Sequence, residues 1–102
     1  MFIVVFRNRK RADIDRAAYD AQAETMEALA RAQPGFLAFK SFTAEDGEVV
    51  SISEWESGSH ARAWGRVAEH REAQSDGRAR WYAEYSIATA DVAHIHTFTA
   101  KG

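Results

Sequence analysis

The amino-acid sequence predicts an α+β fold in which a four-stranded antiparallel sheet carries two helices on one face. Three observations support this prediction: an uninterrupted apolar run at residues 2–6, helical periodicity over residues 13–32 and again around Trp64, and two aromatic-rich segments flanking the turn at residues 45–48. The resulting order, strand, helix, strand, strand, helix, strand, is that of a ferredoxin-like split βαβ domain over residues 1–102. Right-handed crossovers place the first and third strands in the centre of the sheet.

The first strand determines how the sheet has to be covered. Its five residues, Phe2 to Phe6, include no polar side chain, so both faces of the strand are apolar. Two helices can cover one face in a chain of 102 residues, and a second copy of the chain is the simplest cover for the other. We expect Arg7 and Asn8 to end this strand, with Asn8 at the edge of an apolar space.

The first helix is predicted over residues 13–32, with Asp13 as its N-cap and Pro34-Gly35 as its stop. Its apolar and small residues recur at helical spacing. They are Ile14, Ala17, Ala18, Ala21, Ala28, Leu29 and Ala32. Residues 36–42 and 49–55 then form a hairpin.

The second half of the chain is predicted to contain two helical segments and one strand. Ser57 caps a helix whose inner face includes Trp64, and Gly65 weakens that helix. A further helical piece is predicted over residues 69–82, with Gly77 in its middle. A last strand is predicted over residues 84–98, and its length suggests a bulge at residues 88–90.

Composition excludes several functional classes. Thirteen Lys and Arg against 15 Asp and Glu leave a net charge of -2, which gives no electrostatic footprint for nucleic acid or for an anionic membrane. The absence of cysteine excludes disulfides, thiol nucleophiles and zinc-thiolate sites. The opening apolar run is too short for a membrane span or a signal segment, so a cytoplasmic location is expected.

The helix-free face of the sheet is predicted to be apolar. Depending on register, its large residues come from among Phe2 or Ile3, Phe36 or Leu37, Trp55 and Phe98. Such a patch exceeds the few hundred Å² that monomers usually tolerate, so a two-fold homodimer is expected.

These residues and their spacing resemble those of the antibiotic biosynthesis monooxygenase superfamily. The matching features are the apolar first strand, Tyr19 and Met26, Pro34-Gly35-Phe36, Ser53-Glu54-Trp55-Glu56-Ser57, Trp64, His70-Arg71-Glu72-Ala73-Gln74, Gly77-Arg78 and Trp81-Tyr82. The resemblance implies a dimeric α+β barrel. Members of the superfamily include enzymes that oxidise aromatic polyketides with O2 and no metal or flavin, enzymes that degrade haem, and proteins without assigned activity.

The resemblance implies a catalytic role for Asn8 and Trp64. A neutral amide can donate a hydrogen bond to an oxyanion or to bound oxygen without titrating, although asparagine after a strand is also ordinary turn material. An indole offers a flat wall for a polycyclic substrate, or simply packs in the core.

Candidate bases and ligands lie on the second helix. His70 is the candidate general base, against the alternative of a surface histidine. Arg71 is a candidate to hold an anionic phenolate, against a solvated helix charge. At the position where haem-degrading relatives have their axial ligand this chain has Gln74, a poor haem ligand, which argues against haem degradation.

Other aromatic and histidine residues are further candidates for binding roles. Tyr19, Tyr82 and Trp55 are candidate substrate-binding residues, and Tyr85 is a further candidate; packing is the alternative for each tyrosine. His94 and His96 have the same-face spacing of metal ligands but lack a third partner, so no metal site is predicted and a strand-surface or dimer-contact role is favoured.

Three functional hypotheses follow. The first is a cofactor-independent monooxygenase that oxidises a small aromatic or quinol-type molecule in an apolar pocket. The second is a non-catalytic dimer that holds a small apolar ligand in the same pocket. The third, haem degradation, is disfavoured by Gln74.

Overall fold

The computed structural model describes residues 1–75 and 80–102. For residues 73–75 it describes the backbone only. Its elements are β1 (Phe2–Lys10), α1 (Arg16–Arg31), β2 (Phe36–Thr43), β3 (Val49–Trp55), α2 (Gly58–Ser75) and β4 (Tyr82–Asp91). The four strands form one antiparallel sheet in the order β2-β3-β1-β4, with β1 and β3 in the centre. The predicted α+β, ferredoxin-like architecture is therefore confirmed.

Strand β1 is longer than its apolar run. It continues to Lys10, and Asn8 is paired with Val49 of β3 and Tyr85 of β4. Because both flanking strands supply backbone partners, polar side chains do not end the strand at this point. The expectation that Arg7 and Asn8 end the strand, and the alternative of Asn8 as a turn residue, are both wrong.

The N-cap of helix α1 lies two residues later than predicted. Asp15 is its N-cap, and the Asp15 carboxylate accepts the backbone N–H of Ala18 at 3.1 Å, so the assignment to Asp13 is wrong. At the other end the chain reverses through Gly35, whose φ of 79° lies in the left-handed region.

The face that α1 turns inward also differs from the prediction. Of the predicted positions, Ile14, Ala18 and Leu29 are half-buried, but Ala17, Ala21, Ala28 and Ala32 are exposed. Two larger residues outside the predicted set, Tyr19 and Met26, are half-buried instead. A longer side chain removes more apolar surface from water than a methyl group does, so the helix rotates to cover the larger residues.

Helix α2 runs without a break through Gly65 as far as Ser75. The two predicted helical pieces are therefore one helix over this range. Arg80 and Trp81 are helical. Gly77, in the middle of the second predicted piece, lies outside the described residues.

The last strand is shorter than predicted and has no bulge at residues 88–90. Pairing with β1 is regular from Glu84 to Asp91, and the irregularity lies at Arg9 and Lys10 instead. The Val92 N–H donates to the Met1 carbonyl at 2.9 Å, and beyond this point β1 offers no further partner. Residues 92–102 consequently have no regular structure, and His94 and His96 lie in this segment rather than on a strand.

The two faces of the sheet differ in cover. Cross-strand neighbours share a face, so Phe2, Val4, Phe6, Asn8 and Lys10 point toward the helices. The opposite, outer face carries the apolar residues Ile3, Val5, Ala38, Phe42, Val50, Ile52, Ala88 and Ala90. Two expectations for the outer face are wrong: Trp55 lies on the helix side with 0% exposure, and Phe98 lies beyond the sheet.

Candidate active site

Asn8 is a buried polar residue on the helix side of the central strand. Its side chain is paired with the neighbouring Lys10, whose ammonium donates to Asn8 Oδ1 at 2.6 Å. Only 2% of Asn8 is exposed. Asn8 and Lys10 are two residues apart on β1, so their side chains lie on the same face of the sheet. The strand therefore presents an amide and a cation side by side.

Aromatic rings surround this pair. The Lys10 Nζ lies 4.7 Å from the ring centre of Tyr19 on α1 and 5.8 Å from that of Tyr82 on β4. The two tyrosine rings meet edge to face at 6.3 Å. We call Asn8, Lys10, Tyr19 and Tyr82 the Asn8–Lys10 cluster; it joins β1, α1 and β4.

Further aromatic contacts hold the Asn8–Lys10 cluster in place. Phe6 packs against Tyr82 at 5.5 Å and Tyr85 at 5.7 Å, and Trp81 packs against Tyr19 at 5.7 Å. The Trp81 indole donates to Gln22 Oε1 at 3.2 Å, which ties the start of β4 to α1. The pairs of Phe6 with Tyr82 and of Tyr19 with Trp81 are edge to face, and that of Phe6 with Tyr85 is tilted at 44°. Such contacts favour particular relative orientations of the rings, so the polar groups among them have defined positions.

Lys10 differs from its basic neighbours in its partners. Arg7 and Arg9 point to the outer face, where Arg7 pairs with Glu48 at 2.9 Å and Arg9 with Asp46 at 2.8 Å. Within the part of the chain that the structure describes, no carboxylate lies within 4.0 Å of Lys10. The partners that the structure gives Lys10 are an amide and two aromatic rings, all neutral groups.

The ion pairs of the outer face shift the pKa values of their members. The hydrogen bond from Arg9 lowers the pKa of Asp46, and the backbone N–H of Glu48 acts in the same direction. Hydrogen bonds and charge from Glu48 and from Asp46 raise the pKa of Arg7 and of Arg9, respectively. These pairs fix the turn between β2 and β3 to the end of β1.

Trp55 and Trp64 form a second group, at the other end of the helix side. Their rings are stacked with centroids 6.2 Å apart, and the Trp55 indole donates to Ser53 Oγ at 2.9 Å. Ala30, Ala61, Phe2, Val4 and Phe36 pack around them. This group is the hydrophobic core, and Trp55 in particular is enclosed by it.

The predicted catalytic residues are not gathered at one point. Along β1, Asn8 lies about 20 Å from Phe2, which is at the tryptophan end. Helix α2 starts beside Phe2 and returns toward the start of β4, so His70 lies toward the Asn8 end, about 18 Å along α2 from Gly58. His70 and Arg71 are both exposed there. The structure thus brings Asn8, Tyr19 and Tyr82 together, brings Trp55 and Trp64 together, and leaves His70 and Arg71 on the helix surface.

A depression of about 220 Å³ lies beside Asn8 at the sheet edge. It is lined by Arg7, Asn8, Glu48, Glu84, Tyr85 and Ser86, and is therefore largely polar. This volume is below the ~300 Å³ typical of small-molecule sites, and neither Trp64 nor His70 lines it. The depression does not correspond to the apolar pocket that the sequence predicts.

Among residues 1–75 and 80–102, no group of three or more His, Cys, Asp or Glu side chains is arranged to hold a metal ion. Over the same residues, no helix is long and apolar enough to cross a membrane.

Lys10 is the residue of this site that sequence reasoning missed. Because the predicted strand ends at Asn8, the prediction does not place Lys10 on the same face of the sheet. Extending the strand by one period of the pleat places a lysine next to the candidate catalytic asparagine. The period-2 spacing of Asn8 and Lys10 is visible in the sequence, and Lys10 was missed because the predicted strand was too short.

Comparison with known proteins identifies the family of this chain. The sequence profile described as antibiotic biosynthesis monooxygenase matches residues 1–76. The uncharacterized protein YqjZ of Bacillus subtilis is 38% identical over 74 residues, which are 72% of this chain and 65% of that protein. The matched part therefore spans less than two thirds of this relative's length.

Solved structures share the fold at low sequence identity. SnoaB of Streptomyces nogalater, described as a cofactor-independent oxygenase and solved as its N63A mutant, superimposes with a TM-score of 0.73 at 16% identity, covering 92% of this chain and 94% of SnoaB. Rv0793 of Mycobacterium tuberculosis gives a TM-score of 0.75 at 18% identity, covering 94% and 98% of the two chains. At these identities the similarity establishes the fold.

Proposed function

The chain belongs to the antibiotic biosynthesis monooxygenase family, and from this premise we propose that it oxidises a small aromatic or quinol-type molecule with O2, without a metal or flavin. The observation that carries the proposal is the Asn8–Lys10 pair. It places an amide and an ammonium, 2.6 Å apart, among the rings of Tyr19 and Tyr82. Such a set of groups suits an aromatic molecule on which negative charge develops.

In the proposed reaction the substrate itself supplies the electrons that reduce O2. A base removes a proton from an anthrone-type CH2 or its phenol form, and the resulting anion gives electrons to O2. One oxygen atom becomes the new carbonyl oxygen, and the other leaves as water with the two hydrogens lost from the substrate carbon. The protein's task is to stabilise the anion and the oxygen-bearing intermediate.

Asn8 and Lys10 supply that stabilisation in our proposal. The ammonium is a full charge close to where the anion forms, and the amide N–H groups are neutral donors that do not titrate. Both are held on a central strand, which keeps their positions fixed during the reaction. His70 is the candidate proton acceptor, a tyrosine of the cluster can donate a hydrogen bond to a substrate oxygen, and the stacked Trp64 closes the far end of the helix side.

We further propose that two copies of the chain pair through their outer faces. The centre of that face is formed by Ile3, Val5, Val50 and Ile52, with Phe42 49% exposed beside them. A second copy would cover these residues, and the charged pairs of Arg7 and Arg9 would form part of the rim. The Asn8–Lys10 cluster, on the helix side, lies outside this proposed contact.

The test is oxygen uptake by purified protein with anthrone and a dihydroxyanthrone. We expect turnover above the protein-free rate, and a loss of about a hundredfold in kcat for Asn8→Ala, the usual effect of removing one oxyanion donor. Asn8→Asp preserves the size of the side chain but removes its N–H donors, so it should be equally impaired. Thr97→Ala, at an exposed position in the segment that follows the sheet, is the control.

Two outcomes would contradict the proposal for this substrate class. One is uptake that does not exceed the protein-free rate with any of the anthrones. The other is uptake that Asn8→Ala leaves unchanged. Saturable stabilisation against heat by the same compounds, without turnover, would support the alternative function of a ligand-binding dimer.

A further inference from the structure

Lys10 is a cation without a charged partner among the described residues, in a place where its neighbours are aromatic. Arg7, Arg9, Arg16 and Arg31 each pair with a carboxylate within 4.0 Å. Lys10 instead has the Asn8 oxygen at 2.6 Å and the faces of Tyr19 and Tyr82. Arg16 also approaches the Tyr19 ring, at 5.6 Å, so two cations share that ring.

We propose that Lys10 is the group that selects the ligand, and that the ligand binds as an aromatic anion, a phenolate or a carboxylate. This inference rests on the proposed function and gives it a substrate class. An ammonium has three N–H donors, and Asn8 Oδ1 occupies one, so an anionic oxygen can be bound without displacing the amide.

The surroundings of Lys10 favour an aromatic ligand over a small inorganic anion. The rings of Tyr19 and Tyr82 contact the Lys10 ammonium and each other, and the ring of Phe6 contacts that of Tyr82. These rings offer stacking and edge contacts to a flat ligand and few hydrogen bonds to a hydrated ion such as phosphate. Lys10 itself is half-buried, which reduces the screening of its charge by solvent.

Selection by Lys10 also fits the chemistry of the proposed reaction. A substrate must lose a proton before it can reduce O2, and a nearby ammonium favours the deprotonated form. In the proposed reaction Lys10 would thus bind the substrate and hold it in its reactive ionisation state.

The experiment compares two probes of equal shape, naphthoate and naphthamide, by quenching of tryptophan fluorescence. We expect the wild-type protein to bind naphthoate at least about tenfold more tightly than naphthamide, as a hydrogen bond to a charged group implies. Lys10→Met should abolish this preference, and Lys10→Arg should retain it. Lys40→Met is the matched control, because Lys40 also lies over a ring, that of Phe42 at 5.7 Å, but belongs to the outer face.

A second readout follows ionisation directly. A nitrophenol bound to the wild-type protein should show its phenolate absorption at lower pH than in free solution, and this shift should vanish in Lys10→Met. If Lys10→Met does not fold, Lys10→Gln replaces it, and the wild-type preference for naphthoate should fall as salt is added.

The results separate this inference from the proposed function. The role of Lys10 is overturned if the wild-type protein does not prefer naphthoate, or if Lys10→Met keeps the same preference. Either result would count even if oxygen uptake is observed. A lysine-dependent preference in a protein that consumes no oxygen supports anion recognition and contradicts the proposed oxygenase activity.

Discussion

The indole rings of Trp55 and Trp64 stack with their planes 21° apart, and this contact joins the sheet to helix α2. Trp55 is fully enclosed, whereas Trp64 is half-buried. The pair therefore acts first as core. A wall for a ligand can be formed only by the part of Trp64 that remains accessible.

The first prediction concerns the stability that this stack provides. Trp55→Ala is expected to lower the free energy of unfolding by about 3–5 kcal/mol, because a large enclosed ring leaves a cavity. Trp64→Ala should cost less, at the lower end of this range or below it. Trp64→Phe retains an aromatic contact and should lie close to the wild type in urea unfolding. Equal stability of Trp55→Ala and the wild-type protein would contradict the assignment of this pair to the core.

The sequence predicted the fold well because the fold depends on patterns that extend over many residues. The apolar run of β1, the helical spacing around Trp64 and the turn after Thr43 each involve several positions. Together they determine the order of elements, and the crossover rule then gives the strand order.

The site was predicted only in part because its composition depends on single positions. One period of strand beyond Asn8 decides whether Lys10 belongs to the site, and a charged residue gives no apolar signal at that point. The rotation of α1 that turns Tyr19 inward is decided by tertiary packing and not by the alanine spacing. Histidine is a suitable residue type for a general base, but the exposure of His70 on the helix surface depends on the folded structure and cannot be read from the sequence.

The second prediction concerns Gly35, which meets two separate constraints. Its φ is 79°, and a Cβ at this position would overlap the imidazole of His60. Gly47 has a φ of 90° but has no atom within 4 Å of such a Cβ, so it isolates the backbone effect. We expect Gly47→Ala to cost about 1 kcal/mol and Gly35→Ala distinctly more.

A double variant separates the two effects at Gly35. In a His60→Ala background the overlap is removed and only the backbone cost remains, so Gly35→Ala should then cost about as much as Gly47→Ala. The measurement is chemical unfolding of the four variants under one condition. If Gly35→Ala and Gly47→Ala cost the same in the wild-type background, the contact with His60 has no energetic weight.

The third prediction concerns acid stability and Asp46. Arg9 lowers the pKa of this carboxyl in the folded chain, so the unfolded chain binds its proton more readily. The contribution to stability is therefore complete above the ordinary pKa of 3.8 and is lost as pH falls through the lower, folded value. Asp46→Asn should lower the urea midpoint near neutral pH and approach the wild type in strong acid.

The Asp46 effect should be small and sensitive to salt, because both side chains are exposed. Glu45→Gln is the control, since no hydrogen bond or ion pair involves Glu45 among the parts of the chain described. A difference between Asp46→Asn and the wild type that is constant with pH would show that the Arg9 pair is not its source.

The last prediction concerns the outer face of the sheet. If two copies pair through it, Ile52 lies near the centre of the contact, beside Val5 on β1. Ile52→Glu would place a carboxylate without a partner in an apolar interface, at a cost of several kcal/mol of association free energy. We expect the wild-type protein to sediment as a dimer at micromolar concentration and Ile52→Glu to sediment as a monomer that keeps its circular dichroism spectrum. Thr43→Glu, an exposed strand position on the helix side, adds the same charge and should remain dimeric. A wild-type protein that is monomeric under these conditions would leave the outer face without its proposed cover, while the Asn8–Lys10 cluster, which lies on the other side of the sheet, would still be open to the binding test above.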